Sequence, residues 1–426
     1  YLFPNGTNTG ARLYADSTND HYAVPPRPEY AFARSAEYNK AYYDPTKTYT
    51  PWPSTYGTTF PDATPTAAKS DPVRGTETLD LTTDLNVNVN NWKFRGQIGM
   101  RDSAGNLLAT DASRVYSYFP ATYYVANAAS LTYDGTRNCA TPTPADYLAF
   151  VANPNMTLPA NVHAIGPDGR CLTRYEIKPA VTTYPSGRTY ADELQNFANW
   201  FTYSRKRHIA MRGGTLAAFD EMTGIRTGLF RFNNRVNPVT MLDFDSERTT
   251  FFDTLKNFVN AGGTPTRLAL QHAGTQYRQT GTGAPIQERC QKNFAIVFTD
   301  GFANQDNVAV GNADGASGSP YADAHSGTLG DIAMYHYNNN LRTDLTPAGD
   351  VPLNPSCYTN PPASMDCNPN LHMVTYAVTL GARGSLFGVT HFDTQDAYDT
   401  PPAWQEPNID RHPVQVDDLY HATVNG

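Results

Sequence analysis

An apolar run from Phe294 to Phe298 stops at Thr299-Asp300-Gly301, within the stretch CQKNFAIVFTDGFANQDN (290–307). A carboxylate at the end of a buried-looking strand has two readings. Asp-Gly commonly just reverses the chain. It can also offer oxygen donors to a hard cation such as Mg²⁺, which retains open positions for water or a partner carboxylate. Thr264 is the second candidate, in GGTP (262–265). A threonine before a proline serves as a helix N-cap, with Pro265 at the first helical position. At a helix N-terminus beside the top of a sheet, the same hydroxyl would complete a divalent-metal site with Asp300. Other chemistry is sparse. The ten histidines are scattered, with neither H-E-x-x-H nor a P-loop. His208 and His272 fall inside helical patterns and read as packing or surface residues. VGNADGASGSPYADAHSG (310–327) fails as an EF-hand, because Val310 and Tyr321 would occupy positions one and twelve. Its GASGS lacks the final glycine and the preceding strand of a nucleophile elbow. It reads as a flexible surface loop. No base–nucleophile pair emerges.

These candidates need elements to hold them. Asn293 to Asp300 shows no polar alternation, the mark of a strand covered on both faces in the middle of a parallel sheet. Thr189 with Asp192 forms a capping-box pattern. It precedes Leu194, Phe197, Ala198 and Phe201 on one helical face, in a helix that continues towards Ala218. A strand is expected over 225–232, helices over 246–260, after the GGTP turn and over 326–342, and a strand over 371–382. This alternation predicts an α/β, doubly wound domain, in which ligands sit beyond the carboxyl ends of the strands. Asp300 stands at that end. Upstream, Leu85, Val87 and Val89 alternate with asparagines, and Trp92 and Phe94 continue the pattern. Turn-rich residues 72–190 therefore read as β-rich. Residues 1–71, dense in Tyr, Pro, Thr and Asn, read as an extended segment lying on something else.

Length and composition set bounds. A chain of 426 residues predicts two or three units. A net charge of −8, with no Lys/Arg-rich run, argues against a nucleic-acid partner. No apolar run approaches the ~18 residues of a transmembrane helix. The start at Tyr1 reads as a processed or truncated end. None of the five cysteines forms C-x-x-C. Cys139 with Cys171, and Cys357 with Cys367, bracket loop-rich stretches, so two local disulfides are expected, in an oxidising compartment, with Cys290 left over.

Several stretches together resemble the PilY-type type IV pilus tip proteins. They are EYNKAYYDPTKTYTPW (37–52), TYADELQNFANWFTYSRKR (189–207), GGTPTRLAL (262–270), CQKNFAIVFTDGFAN (290–304), GNADGASGSPYADAHSGTLGDIAMYHY (311–337) and DDLYHATVNG (417–426). The resemblance implies a secreted, non-enzymatic protein that reaches the pilus tip or bacterial cell surface after passage through the periplasm. There it would work with minor pilins in pilus assembly and bind host or abiotic surface ligands. It further implies a von Willebrand factor A-like domain, followed in the family by a β-propeller. Thr264 and Asp300 match the Thr and Asp of that domain's metal-ion-dependent adhesion site, but the D-x-S-x-S motif is absent: DSTND (16–20) and DFDSE (243–247) do not match. The expected layout is therefore an extended segment (1–71), a large β-rich insertion (72–190) and an A-like domain (191–426) without its first strand and closing helix. A secreted enzyme or carbohydrate-binding protein on an A-like scaffold is the competing reading, and a metal-free structural cap on the pilus is a third.

Overall fold

The computed structural model describes residues 27–54, 58–88, 115–127, 132–133, 137–259, 262–304, 307–391, 395–408 and 412–426. The expected strand positions Val89, Trp92 and Phe94 lie outside these residues. The chain divides into two compact units, Tyr1–Ala217 and Ala218–Gly426. Its architecture is mixed α/β with small sheets.

In the first unit the strands pair antiparallel. β1 (Ala68–Lys69) meets β2 (Thr78–Leu79), and β3 (Leu85–Asn88) meets β4 (Val115–Tyr118). β5 (Thr122–Asn127), β8 (Ala164–Ile165) and β9 (Cys171–Glu176) form one sheet in the order β5-β9-β8, and β6 (Thr132–Tyr133) pairs with β7 (Arg137–Asn138). The sheet packs on α1 (Pro144–Ala152) through a core that includes Tyr124, Phe150, Ile165 and Leu172. The Cys139–Cys171 disulfide lies in that core.

α2 (Tyr190–Tyr203) starts where the capping pattern placed it, with the Thr189 hydroxyl accepting the Asp192 N–H at 3.3 Å. The expected single helix is broken at 204–206, and α3 (Arg207–Phe219) follows. The buried face of α2 carries amides as well as apolar groups. Asn196 accepts the Tyr49 N–H at 2.7 Å and donates to the Lys47 carbonyl and Tyr43 hydroxyl, each at 2.9 Å. Asn199 accepts the Ala63 N–H at 2.9 Å and donates to the Tyr49 carbonyl at 3.1 Å. The described part of the Tyr/Pro-rich segment thus lies along α2, and side-chain amides satisfy backbone groups that have no ladder partner. Glu193, fully buried, accepts from Tyr123 and Ser186 at 2.9 and 2.6 Å and ties the helix to β5.

In the second unit, β10 (Arg226–Gly228) and β11 (Met241–Asp243) make a short antiparallel ladder, so the strand expected over 225–232 is shorter than its apolar pattern. α4 (Phe244–Lys256) follows, its N-terminus capped by the Asp243 carboxylate. After α5 (Thr266–Tyr277), β12 (Phe294–Thr299) pairs in parallel with β13 (Val374–Thr379), in register from Phe294↔Val374 to Thr299↔Thr379. α6 (Leu329–Asn338) forms the crossover between them. α7 (Val414–Asn425), unassigned from sequence, packs on α6 and β13. Leu270, Val297, Ile332, Met373, Leu419 and Ala422 share this core.

The expectation of a strand buried on both faces is corrected here. Val297 and Thr299 point into the core, whereas Phe294 is 48% exposed and Tyr376, whose ring centroid lies 6.0 Å from that of Phe294, is 51% exposed. Among the described residues β12 has one strand neighbour, β13, so its other edge and one apolar face are open. A run without polar alternation can mark a two-sided core. It can equally mark a surface awaiting cover.

Cys357 joins Cys367, and Cys290 is exposed and unbridged. Alkylation of the unreduced, denatured chain should therefore label one thiol, Cys290, and peptide mass mapping should recover both bridges. Asn196→Ala should destabilise the first unit by about 2–3 kcal/mol in urea unfolding, because it removes the acceptor of the Tyr49 N–H and the donor to the Lys47 carbonyl and Tyr43 hydroxyl at once.

Candidate functional site

Asp300 sits immediately beyond the carboxyl end of β12, exposed. The turn that presents it is tightly held. Gly301 has φ +96, and a Cβ there would lie 2.5 Å from the Ala382 Cβ and 2.9 Å from the Val416 Cγ2. Only glycine combines that backbone conformation with that closeness. The Thr299 hydroxyl accepts the Gly301 N–H at 3.1 Å. Two residues on, Gln415 of α7 clamps Ala303, accepting its N–H at 3.1 Å and donating to its carbonyl at 2.9 Å.

Thr264 reaches the same end of β12 through Asn304. Its carbonyl accepts the Asn304 N–H at 2.9 Å, and its N–H donates to the Asn304 side-chain oxygen. The loops bearing the two candidates are thereby stitched together. Thr264 is not the N-cap, however. Pro265 takes that position with ψ 71, and helical geometry begins at Thr266. The proline's ψ turns the chain one residue later than expected, leaving Thr264 half-buried outside the helix. His208 lies in α3, 3.9 Å from Asp71, and His272 contacts the Val236 carbonyl at 2.9 Å from α5.

Sequence reasoning missed a second concentration of polar groups where α6 and α7 meet. Asp418 is buried. One of its oxygens accepts the Leu329 and Gly330 N–H groups at the start of α6, at 2.9 and 3.4 Å, and the other lies 3.5 Å from Arg267 of α5. Burial pushes its carboxyl up to about 6, against the pull of Arg267 and the two N–H groups. Asp331 closes a capping box with Thr328 and also accepts the Ala313 N–H at 2.6 Å. That contact draws in the 310–327 loop, so the loop is not the free surface segment expected. Its exposed tip, 315–319, hangs from the fully buried Asp314. Burial, and then the Asp323 and Asp331 carboxylates, push Asp314 up to about 7, against opposing hydrogen bonds. Burial also pushes the adjoining His421 down. The signal available in sequence was the set of polar ligand types Asn312, Asp314, Asp323 and His325. Nothing in it pointed to His421 about a hundred residues away.

Among curated proteins the chain is similar to type IV pilus biogenesis factor PilY1 of three Pseudomonas aeruginosa strains. The PAK relative is 32% identical over 313 residues, covering 60% of this chain and 25% of the relative. The UCBPP-PA14 relative is 29% identical over 271 residues, covering 54% of this chain and 23% of the relative. The PAO1 relative is 30% identical over 242 residues, covering 46% of this chain and 20% of the relative. The chain thus spans a quarter or less of the length of these relatives. No protein-family profile matches it, and no solved structure does. Among the described residues no helix is long and apolar enough to cross a membrane.

The raised Asp418 carboxyl has a measurable consequence. A folded-state value near 6, above the ordinary 3.8, stabilises the protein fully below about pH 3.8 and loses that contribution as pH rises through 6. Relative to Asp418→Asn, which does not titrate, the wild-type thermal midpoint should fall between pH 4.5 and pH 7.5. Parallel pH profiles for the two proteins would refute this.

Proposed function

Starting from a PilY-type chain, akin to these pilus biogenesis factors over about half of its residues, we propose that it serves type IV pilus biogenesis. In this reading it is a secreted, non-enzymatic component at the pilus tip or cell surface. It contacts minor pilins during assembly and host or abiotic surface ligands afterwards. The single observation that carries the proposal is the 32% identity over 313 residues to a factor named for that role. The two disulfides suit the oxidising route such a protein would take.

Within this reading the second unit is a von Willebrand factor A-like binding module, and the β-bearing residues 72–190 are a large insertion. A parallel strand pair with a helical crossover, and a carboxylate presented by a tightly held turn at the strand's carboxyl end, support the module. So does the open edge of β12, where a further strand carrying the missing D-x-S-x-S would pair. Thr264 and Asp300 would then contribute to a Mg²⁺ site completed by that strand, and the cation would bridge to an acidic group of the ligand. Oxygen donors with open positions are what Mg²⁺ requires.

The test is complementation of a piliated bacterium lacking the full-length protein. Gly301→Val, which clashes with Ala382 and Val416, should reduce surface pili severalfold. Asp300→Ala should spare assembly and remove the Mg²⁺-dependent part of surface attachment. Wild-type piliation after deletion of the whole gene would refute a biogenesis role. Attachment by Asp300→Ala that stays fully Mg²⁺-dependent would refute the cation role.

A further inference from the structure

His421, Asp314, Tyr321 and Asn425 meet in the interior where α7 ends against the 310–327 loop. His421 Nε2 lies 2.5 Å from the Tyr321 carbonyl oxygen and 3.4 Å from Asp314 Oδ2. The Asn425 amide nitrogen lies 2.7 Å from Asp314 Oδ2, 3.0 Å from His421 Nε2 and 3.2 Å from the Tyr321 oxygen. Asn425 is only 2% exposed, and its side-chain oxygen is buried with no hydrogen-bond partner among the described residues.

As a hydrogen-bond network this is frustrated. Contact with the Tyr321 carbonyl requires a proton on Nε2, which then faces the Asn425 NH₂, donor against donor. An asparagine amide can turn over within nearly the same volume. That places Oδ1 in the cluster and ends its isolation, but sets it beside the Asp314 and Tyr321 oxygens, acceptor against acceptor. A cation at the centre removes both the donor–donor and the acceptor–acceptor conflict within the cluster. Bonds of about 2.0–2.2 Å give polyhedron edges of roughly 3.0–3.4 Å; the 3.0, 3.2 and 3.4 Å separations already match, and the 2.5 and 2.7 Å contacts would open by a few tenths of an ångström on binding. The remaining imidazole nitrogen is also placed for this role. Nδ1 of His421 lies 3.5 Å from Asp323 Oδ2, the carboxylate–histidine pairing that orients imidazole ligands. Asp323 is itself fixed, since its N–H donates to Asp314 Oδ1 at 3.1 Å and its other oxygen accepts the His325 N–H at 2.7 Å.

We propose that Asp314 Oδ2, the Tyr321 carbonyl, His421 Nε2 and Asn425 Oδ1 form a divalent transition-metal site, with Asp323 as its positioning residue. It is separate from the Thr264/Asp300 pair. One imidazole among three oxygen donors suits Mn²⁺ or Zn²⁺ better than Ca²⁺, whose longer bonds need wider edges. The ion cross-links the end of α7 to the loop.

A built-in reporter makes the test direct. Trp404 stacks on the His421 ring at 4.2 Å with an interplanar angle of 14°. The whole chain, in a Cys290→Ser background that removes the exposed thiol, is freed of metal by chelation and titrated with MnCl₂ or ZnSO₄. One ion per chain should bind, Mn²⁺ should quench Trp404 fluorescence, and the thermal midpoint should rise. Asp314→Asn and His421→Gln should each weaken binding at least about 100-fold. Asp323→Asn, which leaves every ligand in place, should weaken it by about 10- to 100-fold. Asp300→Ala should leave it unchanged. If the ligand variants misfold, an anomalous diffraction peak at the zinc edge between the four donor atoms decides the matter on wild-type crystals. Absence of that peak, absence of wild-type binding, or undiminished binding in folded Asp314→Asn and His421→Gln overturns the proposal.

Discussion

The second unit depends on one buried carboxylate. Asp418 of α7 caps the first N–H groups of α6 and faces Arg267 of α5, so three helices converge on it. An unpaired buried charge would be costly, but the N-terminus of α6 presents free N–H donors and the positive end of its dipole. α7 then acts as a spine, with each buried polar side chain holding a different loop. Gln415 grips Ala303. Asp417 accepts the N–H groups of Ser385, Leu386 and Phe387, at 2.8 to 3.2 Å. His421 and Asn425 face the loop around Asp314. Register along one helix therefore sets where Asp300 stands and how the 310–327 loop folds.

This spine was the least legible part of the chain. β12 and α4 announced themselves through apolar spacing, and α5 through its turn and proline, all of them local signals. In α7, the residues Gln415, Asp417, Asp418, His421 and Asn425 look in one dimension like a solvated face, yet all are buried. Their burial is favourable only because of partners far along the chain; Asn425 and Asp314 are 111 residues apart. The same cause misled the reading of the 310–327 loop. Its composition is that of a surface loop, and its tip is one, but Asp314 is recruited inward. Asn196 and Asn199 on α2 repeat the lesson in the first unit. Helical spacing located the apolar stripe, and the amides beside it are buried because they serve the backbone of a segment about 150 residues earlier.

The candidate pair was chosen for a different reason. Asp300 was picked because strand ends in α/β sheets carry chemistry, and the structure supplies a reason its position is precise: Gly301 packs where no other residue fits. Thr264 was picked as a hydroxyl at a helix N-terminus beside the sheet, but Pro265 is the N-cap and the helix begins at Thr266. The Thr264 loop meets that of Asp300 through hydrogen bonds to the Asn304 N–H and side-chain oxygen, a contact no spacing rule encodes. The apolar run that flagged β12 was real but overread. Burial of a strand depends on what covers it, and the exposed Phe294 and Tyr376 lie on a face with no cover among the described residues.

The two sets of buried carboxylates differ in what compensates them. Asp331 and Asp418 sit at the start of α6, where backbone donors and the helix dipole offset negative charge. Asp314 and Asp323 lie against the last turn of α7, the end at which the dipole is negative and the backbone offers carbonyls instead of N–H groups. Their hydrogen bonds come from a few donors, and Asp314 is the carboxyl pushed highest, to about 7. One imidazole, itself depressed by burial, is a poor counter-charge. Positive charge at that end of α7 is what the proposed metal ion would supply, held by the four donor atoms that converge around His421.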